Sequence, residues 1–370
     1  MIRIDEVYNH TFWPFIERHL PHTRLFYCDP FGHTQPENLL NTRDSASDRN
    51  FIYCHDQEPV YPAVHHALFQ DVARRNRDLN HGRGPTRGAI ITSEHDSDSV
   101  TQVCSEYDWR AYYYFFHGWA ALDWYRGYDR SWLITPAVDR QPAQVYFNPN
   151  RIISGYRSHR LIMMYHLLNA GCDRGYWSMP ELCPDSGEPL VRLIEPLAQQ
   201  YPGIKKVFAK ASIPANLPGE TGHPMHSCWL SQFAATADSM VYIVTETVAQ
   251  GNRLHLTEKT FRPICLQMPF VLVGTRGSLA YLRSYGFRTF GDFWDESYDL
   301  EPDDDRRIAR AAQVVIDLHA MSDAQRQQLW RRMLPVIAHN YQHFYHGRFE
   351  ALLWQELQGM LQQIRTDFAG

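Results

Sequence analysis

Short apolar runs alternate with longer helix-like stretches along most of this 370-residue chain, and this alternation constrains its fold more than any other feature. In the N-terminal part the apolar runs are 24–28, 50–54, 88–92 and 111–116. Residues 62–76, between the second and third runs, have the spacing of an amphipathic helix. Strands that alternate with helices form parallel βαβ units, so the pattern predicts an α/β protein.

A second series of the same kind follows residues 135–144, TPAVDRQPAQ, which are typical of a linker. Its predicted strands are 144–148, 239–246 and 269–274. Its predicted helices are 158–171, 226–237, 257–267, 277–286, 303–320, 322–342 and 346–365. The length fits two domains of roughly 150 residues each. We therefore expect an N-terminal domain over 1–140, a C-terminal domain over 141–335, and a C-terminal helix in 336–370 that can cross back to the N-terminal domain.

The composition is that of a folded protein, with 44% hydrophobic and 21% charged residues. The net charge of −5 argues mildly against a polyanionic partner, although a local basic patch stays open. We expect no membrane span, because no apolar run approaches the roughly 18 residues that one needs. The N-terminus has no signal-peptide pattern, and the seven cysteines are scattered without a CxxC motif. These features predict a cytoplasmic protein with reduced thiols.

The segment 244–282 holds the most informative motif, Thr257-Glu258-Lys259-Thr260 at a helix start. Thr257 is a suitable N-cap, and Glu258 and Lys259 then project from the first turn. A sugar linked to a nucleoside diphosphate needs a carboxylate for its ribose hydroxyls, cations for the pyrophosphate, and free backbone N–H groups. The motif offers all three. The alternative is a capped surface helix that carries an adjacent ion pair.

The segment resembles the donor-site signature of the α1,3-fucosyltransferase family, whose fold is GT-B. That signature is a strand ending in (F/V)-x-E, a short loop, (V/L)-T-E-K, a helix, and an apolar strand ending in glycine. The resemblance covers about residues 145–275 and implies that Glu258 binds the ribose and Lys259 the diphosphate. It also implies that Glu246, at the end of its strand, lies near the nucleotide.

The same family has a strand, an Asn-Pro-Asn-like turn, and an arginine that contacts phosphate at the start of the next helix. Here the turn is 148–150, ending at Asn150. The resemblance makes Arg160 the better match for the phosphate contact and Arg157 the alternative. The implied nucleotide-binding set is therefore Glu258, Lys259, Arg160, Glu246, Asn150 and Thr257.

The chain is also similar to phage and bacterial proteins that share a D-Q-E-P motif, an F-F-H-G-x-A-A-L-D-W-Y block and a T-E-K-T-[FW]-[KR]-P helix. Residues 56–59 and 115–125 match the first two of these. No part of the N-terminal half aligns with the fucosyltransferases, so the resemblance implies nothing about the acceptor side.

Inverting sugar transfer needs a general base, which takes the proton of the acceptor hydroxyl. Polar groups at predicted strand ends of the N-terminal domain are the candidates, and we rank Glu58 and Asp56 first, then Glu94. His117 and Asp123 are candidates for contacts to the acceptor. Asp56 has an equal claim to a structural role as a turn or helix cap. For His117, which lies beside aromatic residues, a structural role as a partly buried residue is favoured over substrate binding.

Asp96-Ser97-Asp98 is a D-x-D, the metal-ligating signature of the other major glycosyltransferase fold. Lysine and arginine at the donor site neutralise the same phosphate charge that a metal would, so we expect no metal and no cofactor.

Together these features predict an α/β protein of GT-B-like fold, with two Rossmann-like domains facing each other across a cleft and helices at the C-terminus. The predicted activity is transfer of a sugar from a GDP- or UDP-linked donor to a hydroxyl of a glycan or other acceptor, with inversion and without a metal. DNA is a further partner left open, through a glycosyltransferase acting on hydroxymethylated pyrimidines. A GT-B-like nucleotide-sugar epimerase and a non-enzymatic sugar-nucleotide binder are two further hypotheses that fit the same motif.

Overall fold

The computed structural model describes residues 4–20, 22–28, 39–43, 50–80, 87–213, 215–217 and 228–369. By its internal contacts the chain divides into two compact units. The first unit comprises 1–123, 252–255 and 350–370, and the second comprises 124–251 and 256–349. Each unit has its own sheet with helices, so the protein is a mixed α/β protein, compatible with two Rossmann-like domains.

The sheet of the first unit has five strands in the order β2-β1-β3-β4-β5. They are β1 Thr23–Cys28, β2 Leu39–Arg43, β3 Asn50–His55, β4 Gly88–Thr92 and β5 Trp109–Tyr113. β1, β3, β4 and β5 are parallel, and β2 pairs antiparallel with β1 at the edge. The predicted strands 24–28, 50–54 and 88–92 are thereby confirmed.

Helices cover this sheet through an aromatic core. The helices of the first unit are α1 Ile4–Val7, α2 Trp13–His19, α3 Pro62–Asn80, α4 Asp98–Tyr107, α5 Phe116–Trp124 and α14 Arg348–Ala369, with a π-helical turn at Tyr8–Phe12. The rings of Phe51 and Trp109 meet edge to face at 5.3 Å, and Phe69 of α3 packs on Trp109 at 6.1 Å. The last helix, α14, is fixed to the same unit, because Tyr112 and Arg110 both bond the carboxylate of Asp367.

The prediction of one strand over 111–116 is wrong at its C-terminal end. β5 stops at Tyr113, and Phe116 already begins helix α5. Every residue from Phe116 to Leu122 is buried, so this helix is apolar all round and shows no amphipathic period. An apolar run of this kind looks the same in a sequence whether it is a buried strand or a buried helix.

The second unit has a parallel four-stranded sheet in the order β7-β6-β8-β9. Its strands are β6 Gln144–Asn148, β7 Gly175–Trp177, β8 Ser239–Thr245 and β9 Phe270–Val273. Its helices are α6 Ser158–Asn169, α7 Leu190–Leu193, α8 Ile204–Lys210, α9 Phe233–Ala237, α10 Glu258–Cys265, α11 Ser278–Ser284, α12 Asp304–Ala320 and α13 Asp323–Tyr345. The three predicted strands of this half are confirmed, and the short strand β7 is an addition.

The predicted linker around residues 135–144 is built into the second unit. Arg140 is buried and donates to the carbonyl oxygens of Thr135, Leu266 and Gln267. Trp330 of α13 donates from its indole nitrogen to the carbonyl of Ala137 at 3.0 Å. The contact division accordingly falls at 123/124, ahead of this segment.

No helix in the described ranges has the length and apolar character needed to cross a membrane. Six cysteines of these ranges form no disulfide, namely Cys54, Cys104, Cys172, Cys183, Cys228 and Cys265.

Candidate functional site

Glu246 organises the carboxyl edge of the second sheet. It follows the last residue of β8, and its side chain is fully buried. Its carboxylate accepts from the backbone N–H of Thr257 at 3.0 Å, the Thr257 hydroxyl at 2.5 Å and the Thr260 hydroxyl at 2.6 Å. The backbone N–H of Thr247 adds a fourth bond at 3.1 Å. Ligands of parallel sheets gather at this edge, and here Glu246 fixes the start of α10 against it.

Glu258 and Lys259 occupy the first turn of α10, which Thr257 caps through its hydroxyl. The Lys259 ammonium lies 2.8 Å from Glu258 Oε1 and donates to the Thr247 hydroxyl at 3.2 Å. The Glu258 side chain is 7% exposed and that of Lys259 31% exposed. The pair therefore presents one carboxylate and one partly accessible cation at a helix N-terminus, where the helix dipole adds positive potential.

Asn150 and Arg160 lie beside the same strand end. Asn150 accepts from the Thr245 hydroxyl at 2.8 Å, and Arg160 donates to the carbonyl oxygens of Thr245 and Glu246 at 3.3 Å each. Both side chains are buried. Burial, and then the neighbouring Arg157, lower the pKa of Arg160 to about 10, which leaves it charged at neutral pH.

The structure thus brings together all six residues of the predicted nucleotide-binding set. Asn150 and Arg160 are buried, and their side chains form hydrogen bonds to neighbouring groups of the protein. Arg157, the alternative phosphate contact, is half-buried. Lys259 is the more accessible cation of the set.

Sequence reasoning missed Arg262, one turn further along α10. The residue is 5% exposed, and its guanidinium interacts electrostatically with Tyr242 and Tyr125, which are also buried. The signal that could have found it was its spacing, because Arg262 follows Glu258 by four residues and Lys259 by three, which places all three on one side of the helix.

In the first unit, Asp56 follows the end of β3 and is bonded by two tyrosines. The hydroxyls of Tyr8 and Tyr114 donate to Asp56 Oδ2 at 2.5 and 2.6 Å and lie 2.7 Å from each other. Burial raises the pKa of Asp56, and the two tyrosine hydrogen bonds oppose that rise. Glu58, two residues on, is exposed. Of the two first-ranked candidates for the general base, only Glu58 is therefore open to solvent.

Glu94, the third candidate, follows β4 by two residues and forms a buried ion pair with Arg253, at 3.0 Å. It also accepts from the backbone N–H of Val60 at 2.7 Å and from the Ser97 hydroxyl. Arg253 donates further to the Val60 carbonyl and lies 5.1 Å above the ring of Tyr61. These contacts fix residues 252–255, a short piece from the loop before α10, to the sheet of the first unit.

The D-x-D residues take part in the same attachment. Ser97 caps α4, and Asp98 accepts from the side-chain amide of Asn252 at 3.1 Å, while its backbone N–H donates to the Asn252 carbonyl. Asp96 is exposed and lies 2.9 Å from His95. No group of three or more potential metal ligands occurs among the residues that the structure describes.

Four buried histidines lie at this edge of the first sheet. The rings of His55 and His65 are 4.8 Å apart, and those of His117 and His255 are 5.0 Å apart. Burial lowers the pKa of His55 and of His255 to about 3 each, and that of His65 to about 4. His117, a predicted acceptor contact, thus lies in the first turn of α5 beside these neutral histidines.

Asp123, the other predicted acceptor contact, lies in the last turn of α5 and is half-buried. The candidate residues therefore form two groups, with the nucleotide-binding set in the second unit and the candidate bases and acceptor contacts in the first. No protein family model matches the chain, and no curated protein matches its sequence.

Proposed function

We propose that the protein is a glycosyltransferase that moves a sugar from a nucleoside-diphosphate donor to an acceptor hydroxyl. The observation that carries the proposal is the Glu258–Lys259 pair at the capped start of α10, fixed to the carboxyl edge of a parallel sheet by buried Glu246. A carboxylate, a cation and a helix N-terminus together suit a ribose and a diphosphate.

On this proposal the Glu258 carboxylate accepts hydrogen bonds from the ribose hydroxyls, and Lys259 gives up its contact with Glu258 to bind the diphosphate. The accumulating negative charge of the leaving diphosphate is stabilised by Lys259 and by the helix dipole. These groups supply the role that a divalent cation has in metal-dependent transferases, so the proposed reaction needs no metal.

The acceptor is proposed to bind to the first unit, with Glu58 as general base. Glu58 is exposed in the segment just after the parallel strand β3, whereas Asp56 and Glu94 are buried and hydrogen-bonded. Its carboxylate would take the proton of the hydroxyl that attacks the anomeric carbon, and the product would have the inverted configuration. In this proposal the first and second units are the acceptor and donor domains of a GT-B enzyme.

The test is incubation of the purified protein with a panel of GDP- and UDP-sugars, with and without glycan acceptors and hydroxymethylated DNA. We expect release of nucleoside diphosphate and a glycoside of inverted configuration, with undiminished rate in excess EDTA. Conversion of the sugar without any acceptor product indicates an epimerase, and binding without turnover indicates a binder. Either result, or undiminished activity in Lys259→Ala at a donor concentration below saturation, contradicts the proposal.

A further inference from the structure

Arg262 forms fewer hydrogen bonds than the other buried arginines of the second unit. Its Nη2 donates to the Ser231 hydroxyl at 3.1 Å, and its Nε, although buried, has no acceptor. Arg140, by contrast, donates to three backbone carbonyls, and Arg307 donates to the carbonyls of Gly274, Ala249 and Glu301. Buried polar groups of folded proteins are hydrogen-bonded in the great majority, so an under-bonded guanidinium indicates a missing partner.

The charge of Arg262 is likewise unpaired. Within the described part of the chain, no carboxylate forms an ion pair with it, and Ser231 is its one hydrogen-bond acceptor. Burial by itself lowers the pKa of Arg262, but Tyr242, Tyr125 and Glu258 more than offset that effect. The guanidinium is therefore a buried cation at neutral pH. The carboxylate that acts on it, Glu258, is already paired with Lys259, and burying a cation that no anion contacts directly is unfavourable.

The position of Arg262 on α10 indicates which anion would pair with it. It follows Lys259 by three residues, a separation at which helix side chains are neighbours. The two residues are therefore neighbours on the helix, and the Glu258 carboxylate acts on both, at 2.8 Å from the Lys259 ammonium and electrostatically on Arg262. A ligand with two linked anionic groups can contact both cations at once.

We propose that Arg262 is a ligand-binding residue that shares a diphosphate with Lys259. The inference deepens the proposed function and relies on it for the nucleoside and the sugar, but not for the diphosphate. Arg262 donates from Nε, and from the guanidinium hydrogens that Ser231 does not use, to phosphate oxygens. Diphosphate binding thereby completes the hydrogen bonding of the guanidinium and supplies its counterion.

The experiment measures binding of inorganic pyrophosphate by calorimetry, together with unfolding in urea. The variants are Arg262→Met and Arg262→Lys, and Arg331→Met is the matched control because Arg331 is an exposed arginine of α13. We expect Arg262→Met to weaken pyrophosphate binding at least tenfold, Arg262→Lys to recover part of it, and Arg331→Met to leave it unchanged. We also expect ligand-free Arg262→Met to be at least as stable as the wild type, since it removes an unpaired buried charge.

Unchanged pyrophosphate affinity in Arg262→Met, or no pyrophosphate binding by the wild type, overturns the inference. So does a large loss of stability in both Arg262 variants, which indicates a structural arginine. The same measurements distinguish failure of this inference from failure of the proposed function. If the wild type binds pyrophosphate through Arg262 but releases nucleoside diphosphate from no sugar nucleotide, the inference stands and the glycosyltransferase proposal fails.

Discussion

Thr257 is joined to Glu246 by two hydrogen bonds, one from its backbone N–H to Oε1 at 3.0 Å and one from its hydroxyl to Oε2 at 2.5 Å. Both residues are buried, so the carboxylate just after β8 holds the N-cap of α10 without competition from water. The first turn that carries Glu258 and Lys259 is thereby attached directly to the sheet.

Glu246→Gln should therefore lower the free energy of unfolding by about 3 kcal/mol. The side-chain amide has an NH₂ group in place of one carboxylate oxygen, and this NH₂ group would face hydroxyl and N–H donors that it cannot accept from. Urea unfolding followed by circular dichroism measures the change. Glu106→Gln, at an exposed position on α4, is the control and should stay within about 0.5 kcal/mol of the wild type. A Glu246→Gln variant as stable as the control would show that the four hydrogen bonds do not fix the start of α10.

The two acidic candidates after β3 should respond differently to removal of their charge. Glu58→Gln should lower kcat at least a hundredfold and leave the Kd for the donor nearly unchanged, since a positioned general base contributes about 10²–10⁴ in rate. Asp56→Asn should mainly lower stability, because Asp56 accepts from Tyr8 and Tyr114 in a buried position. Steady-state rates and urea unfolding of both variants decide the assignment. Near-normal turnover in Glu58→Gln would place the base elsewhere.

The buried histidines of the first unit should make stability depend on pH. The pKa values of His55, His255 and His65 lie below the ordinary value of about 6.5, so the unfolded chain takes up protons that the folded one excludes. The stability that the folded state has with these histidines neutral is fully present above pH 6.5, and it is lost as the pH falls towards 4. Each neutral histidine can cost up to about 1.4 kcal/mol per pH unit in that range.

Urea unfolding at pH 7.5, 6.5 and 5.5 measures this dependence. His65→Gln should show a shallower decrease than the wild type, because one of the histidines with a lowered pKa is gone. His346→Gln, at an exposed histidine just after α13, should keep the wild-type slope. A free energy of unfolding that is constant from pH 7.5 to 5.5 would contradict the buried neutral state.

The parts of the fold that the sequence could predict are those with a local pattern. β1, β3, β4, β6, β8 and β9 each coincide with an apolar run bounded by polar or turn residues. β2, Leu-Leu-Asn-Thr-Arg, is an edge strand with mostly polar residues, and β7 has three residues, so neither gives such a pattern. The end of β5 was missed because strand and buried helix are equally apolar there.

The candidate site divides in the same way. Glu246, Thr257 and Lys259 lie within fourteen residues of each other, and a strand, a loop and a capped helix are enough to predict their proximity. The contacts of Asp56 with Tyr8 and Tyr114 span 48 and 58 residues, and the Arg253–Glu94 contact spans 159. Nothing in the local pattern specifies such pairs, since they depend on how the completed units pack.

The central claim is that α10 binds a nucleoside diphosphate through Lys259. Calorimetric titration of GDP and of UDP into the wild type, Lys259→Ala and the exposed control Lys205→Ala tests it most directly. We expect one of the two nucleotides to bind the wild type and the control alike, and Lys259→Ala to lose about 2–3 kcal/mol of binding free energy with little change in stability. Equal affinity of Lys259→Ala and the wild type, or no binding of either nucleotide to the wild type, would contradict the claim.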